Sequence, residues 1–108
     1  MPQPDAVGVP WIKESEYSDV KELMEDGDTM PDSYSEWESG AESVESKFEE
    51  AGHRTIRVFI HPKEFEEWCE ANNIAPGSQA RQRYSSAKAK EVLEEEENYV
   101  SNLSHRKT

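Results

Sequence analysis

One stretch, Arg54-Thr-Ile-Arg-Val-Phe-Ile-His61, alternates its side chains with the two-residue period of a β-strand. Ile56, Val58 and Ile60 share one face, and Thr55, Arg57 and Phe59 share the other. No other segment reads convincingly as a strand. A lone strand leaves a row of amides and carbonyls without partners and is not stable by itself. The chain therefore needs a second strand that its pattern does not advertise. That strand comes either from the poorly patterned N-terminus or from a second copy of the chain, and the latter source makes a homodimer an expected state.

The periodicities around the strand are helical. Tyr17, Val20, Leu23 and Met24 form one apolar stripe within residues 11–26, with Gly27 as a stop. Ser33 and Glu36 match a capping box. After it, Tyr34, Trp37, Ala41, Val44, Phe48 and Ala51 recur at steps of three and four, which predicts a helix over 34–51 closed by Gly52. Pro62 suits a first helical position, with Phe65, Trp68 and Cys69 on one face and Asn72-Asn73 at the end. Ser78 opens a last helix whose inner face is marked by Ala80, Tyr84 and Ala87. The expected order is helix, helix, strand, helix, helix, in the α+β class and mostly α. Residues 1–10, with three prolines and a glycine, read as a flexible N-terminal segment. Residues 11–100 read as one acidic domain, and 101–108 as a disordered tail.

Only 33% of the 108 residues are hydrophobic and another 33% are charged, so the core must be thin. The net charge of −12 is unevenly placed: residues 1–53 hold fifteen acids against three bases, while 54–93 hold seven bases against five acids. Such a field attracts basic proteins and repels phosphate backbones and membrane surfaces. No run is apolar enough to span a bilayer, Met1–Pro10 lacks the features of a signal peptide, and a single cysteine cannot pair internally. The expected location is the cytoplasm.

Residues arranged for reaction chemistry are few. Cys69 sits beside Trp68 on a face assigned to the core, eight residues from His61, and reads as a structural thiol. His53, His61, His105 and Cys69 lack the short spacings of structural zinc. The run Asp26-Gly-Asp28 with Asp32 fails as a calcium loop, since Met30, Pro31 and Trp37 stand where an oxygen ligand, a glycine and a bidentate glutamate belong. No catalytic residue, cofactor or metal is expected.

Residues 54–91 run strand, proline-started helix, glycine loop, helix, and in that order resemble a ribbon–helix–helix module. The resemblance implies a dimer whose paired strands enter the major groove, with Arg57 on the outward face and Ser78, Arg81 and Arg83 at the second helix start near phosphates. Phe59 departs from the polar residues that family carries on its reading face, and the acidic half would repel the same duplex. The whole chain also resembles small uncharacterised bacterial and phage proteins. That likeness lies in Pro10-Trp11-Ile12-Lys13-Glu14, Met30-Pro31 with Glu36-Trp37, Phe65-Glu-Glu-Trp-Cys69 and Ala80-Arg81, and it implies no activity.

Two functions follow as expectations. One is a non-catalytic acidic protein-binding module (an inhibitor, antitoxin or accessory factor, or a mimic of nucleic acid). It would meet a basic partner through Tyr34, Trp37, Glu38, Glu42, Glu45 and Glu49. The other is a dimeric DNA-binding regulator using Arg57, Ser78, Arg81 and Arg83.

Overall fold

A computed structural model describes residues 6–106 of the chain, with side chains through Glu96. Strand β1 (Ala6–Trp11) leads into helix α1 (Glu14–Leu23) and a short 3-10 turn at Gly27–Thr29. Helix α2 (Tyr34–Glu50), strand β2 (Arg54–Phe59), helix α3 (Pro62–Ala71) and helix α4 (Ser78–Arg106) follow. The mostly helical α+β class is as expected, but a strand precedes the first helix.

β1 supplies the partner that β2 required. The two strands pair in parallel, with Val9 opposite Arg57 and Trp11 opposite Phe59. Residues 6–10 are thus ladder rather than flexible lead-in, while residues 1–5 lie outside the described residues. The Gly and Pro that argued against a strand have specific places in it. Ile60 N–H donates to the Trp11 carbonyl at 2.8 Å, so by strand alternation Val7, Val9 and Trp11 turn their backbone groups toward β2. Pro10 faces the other way, where a missing N–H costs no ladder bond. Gly8 lies against α4, and a Cβ there would overlap the Ser85 carbonyl. Because β1 meets the need within one chain, the strand no longer calls for a second copy.

The sheet is the middle layer of three. Val7, Val9 and Trp11 of β1 and Thr55, Arg57 and Phe59 of β2 share the face covered by α2. Ala6, Gly8 and Pro10, with Arg54, Ile56 and Val58, face α4. α1 packs against α3 beyond the strands' C-terminal ends. The core joins Ile12, Tyr17, Val20, Val58, Ile60, Phe65, Cys69 and Tyr84 into one cluster. It is thin, as the composition demanded, and α2 contributes no fully buried residue to it.

Helix ends follow the local signals closely. Ser33 Oγ accepts from Glu36 N–H at 3.2 Å. Gly52, at φ 92, closes α2: Gly52 N–H bonds the Glu49 carbonyl and His53 N–H the Phe48 carbonyl. Asn73, at φ 55, closes α3 by the same pair of bonds, to Glu70 and Cys69. Gly27 differs from expectation. α1 ends at Leu23, and Gly27 sits in the following turn because a Cβ would strike the Lys21 carbonyl. The last helix also runs further than expected. Residues 101–106 continue α4, in keeping with the strong helix propensity of its glutamate run; residues 107–108 are not described.

Candidate functional site

Glu38, Glu42, Glu45 and Glu49 recur at steps of four, three and four, so they form one stripe along α2. The structure turns that stripe toward β2. Arg57 donates to Glu45 through Nε at 2.8 Å and Nη2 at 3.0 Å, and its guanidinium lies 3.7 Å from the centre of the Trp11 ring. Thr55 donates its hydroxyl to Glu49 at 3.1 Å. The hydrogen bonds from Arg57 hold the Glu45 carboxyl below its ordinary range. Glu45 in turn raises Arg57, with Glu42 and Glu38 adding to the effect at longer range. Glu45 and Glu49 were expected to meet a basic partner protein. Instead α2 is rotated so that Glu45 is half-buried and Val44, assigned to the seam, is 46% exposed.

The aromatic anchors are committed inside the fold. Tyr34 donates its hydroxyl to the Ile12 carbonyl at 2.8 Å, and Tyr17 donates to the Pro31 carbonyl. Trp37 packs edge-on against Trp11 with centroids 5.7 Å apart, and tilted against Tyr17 and Tyr34. Burial raises both Tyr17 and Tyr34 above the usual phenol range. These rings fix α2 to β1 and α1. Trp37 is half-buried and lines a cleft of about 340 Å³ beside the outer edge of β1. Pro10, Ile12, Ala41, Val44 and Arg81 also line it.

The basic candidates do not assemble into one surface. Arg57 lies beside α2, bound to Glu45, whereas Ser78 and Arg81 line the cleft on the opposite edge of the sheet. Arg81 makes a two-pronged bond to Asp26, at 2.9 and 3.0 Å, which holds that carboxyl below its usual range. Glu25 N–H donates to the Pro76 carbonyl at 2.8 Å beside it, so this pair ties the end of α1 to the start of α4. Arg83 is exposed. The arginines of the second half are therefore largely used to bind carboxylates, two of them from the first half.

Cys69 is buried, and desolvation together with Glu66 raises its thiol pKa, the reverse of what a nucleophile needs. His61 Nδ1 lies 2.8 Å from Glu16 and joins α3 to α1. Among the described residues, no three His, Cys, Asp or Glu side chains converge where a metal ion could sit. No described helix is long and apolar enough to cross a membrane.

No family model, curated protein or solved structure matches the chain. Function must therefore be argued from its surfaces.

One such surface was not read from the sequence. β2 pairs only with β1 among the described residues, so its other edge carries an open row of backbone groups. Alternation places Thr55, Arg57 and Phe59 N–H and C=O on that edge. Phe59 there is 39% exposed. The strand was legible, but which edge its partner would take was not.

Proposed function

We propose that this protein is a non-catalytic acidic docking module that engages a protein partner through that partner's basic surface. The observation that carries the proposal is the α2 stripe. Of Glu38, Glu42, Glu45 and Glu49, only Glu45 has a basic partner among the described residues. The stripe also borders an exposed strand rather than a packed helix. Its three remaining carboxylates stand within about three helical turns of one another, a spacing that suits several lysines or arginines at once. Inhibitor, antitoxin, accessory factor and mimic of nucleic acid all share this chemistry. The same pairing counts against a DNA-binding reading, since Arg57 and Arg81 already hold carboxylates.

The test is calorimetric titration of the full chain with a lysine-rich peptide at low and at moderate salt. Affinity should fall by about tenfold between roughly 50 and 300 mM salt, as screening of exposed charges requires. It should fall by a further factor of about five in Glu38→Gln/Glu42→Gln, which leaves the Arg57 pair intact. Equal affinity of the native and doubly substituted chains, or saturable binding of duplex DNA by the native chain, would overturn the proposal.

A further inference from the structure

We infer that the outer edge of β2 is a strand-addition site for an extended, basic segment of a partner protein, an inference that rests on the acidic docking reading above. An open edge of six residues is a template for another strand, and folds usually guard such an edge with charges reaching across it, bulges or a covering element. Here the nearby charges are engaged within the fold. Arg57, 44% exposed, binds Glu45 of α2 and stacks on Trp11. Arg54, 49% exposed, binds Glu96 of α4 at 2.8 and 2.9 Å, and Lys13 lies over the Phe59 ring. The N–H and C=O groups of Thr55, Arg57 and Phe59 are left facing outward.

The flanks specify what kind of strand would fit. On the α2 side are Glu49, which accepts from Thr55, and Glu42 and Glu38, which act on Arg57 at longer range. On the α4 side, Val92 is 37% exposed and lies one turn before Glu96, the partner of Arg54. An added strand alternates its side chains between these two flanks. Lysine or arginine at every second position would meet the α2 carboxylates, and small apolar residues between them would meet Val92. Main-chain bonds would supply affinity and the alternation would supply specificity. A second copy of this chain fits the edge poorly, because each copy carries a net charge of −12 and two α2 stripes would be brought together.

The experiment uses the full chain, isotopically labelled, and a capped eight-residue peptide alternating lysine and valine. Amide exchange in the free protein should be fast at Thr55, Arg57 and Phe59 and slow at Ile56, Val58 and Ile60. Saturating peptide should slow the first three by about tenfold or more and leave the others unchanged. Methylating alternate backbone nitrogens of the peptide should weaken binding by about tenfold with no change to the protein. If the peptide binds in a salt-sensitive way but methylation has no effect and the three amides stay fast, strand addition is wrong and acidic docking stands. If no peptide binds at any salt, both fail. If the three amides are protected without peptide and more so at high protein concentration, the occupant is a second copy and the inference is overturned.

Discussion

Arg81 and Asp26 show how a charged residue on a thin-cored protein becomes structural. Their side chains are only 17% and 28% exposed, so loss of either would strand its partner in a half-dry site. Asp26→Asn should cost about 1.5–3 kcal/mol near neutral pH, measured by urea unfolding. The sign with pH is fixed by the lowered carboxyl values of Asp26 and Glu45. A carboxyl held lower in the folded state stabilises fully above its unfolded value of about 4, and that contribution is lost as pH falls through the still lower folded value. Acid should therefore destabilise the native chain below about pH 5, and Asp26→Asn should flatten that acid limb. Ser85 presents the opposite case. Its hydroxyl is buried against β1 without a hydrogen-bond partner among the described residues. Ser85→Ala should raise stability by about 1 kcal/mol in the same assay, because it removes a desolvated polar group and opens almost no space. At this scale the sequence was most readable. Ser33, Gly52, Pro62 and Asn73 act through local backbone geometry, and each stands where its chemistry said it would.

Elements were legible in proportion to how local their cause is. β2 and α3 carry their own local signals, whereas Ser78, read as the cap of α4, is already its first helical residue. β1 carries no such signal: Gly8 and Pro10 are poor strand formers, and their reasons lie elsewhere, in the α4 backbone and the open sheet edge. The spacing along α2 marks a helix but not its rotation. Its apolar seam suggested Val44 inward, yet the sheet below it is two strands wide and offers Arg57, for which Glu45 is the better neighbour. Ion pairs and aromatic edges then set the rotation that a buried seam would otherwise decide. The pairing of β1 with β2 within one chain has a direct consequence. Deleting residues 1–9 should abolish cooperative unfolding followed by circular dichroism, since β2 would lose most of its ladder and the fold the buried Val9. If the shortened chain unfolds as cooperatively as the native one, β2 takes its essential partner from elsewhere.

On the scale of the whole molecule, the first-half acids divide between α1 with its following turn and α2, where four of them form one stripe beside β2. Arg57 and Arg81 fall on opposite edges, each bound to a carboxylate, so no basic patch forms from the residues that a nucleic-acid reading would need. What remains is an acidic ridge next to an open strand. Neither half of that surface could be read alone: the carboxylates were visible in the sequence, but their position beside the exposed edge of β2 depends on where β1 pairs. The most direct measurement is amide shift mapping on the labelled full chain titrated with a lysine-rich peptide. Saturable shifts are expected at Glu38, Glu42, Glu45 and Glu49 together with Thr55, Arg57 and Phe59, and they should vanish in about 0.5 M salt. Shifts scattered over all four helices, or confined to Ser78, Arg81 and Arg83, would contradict a docking surface built on α2 and β2.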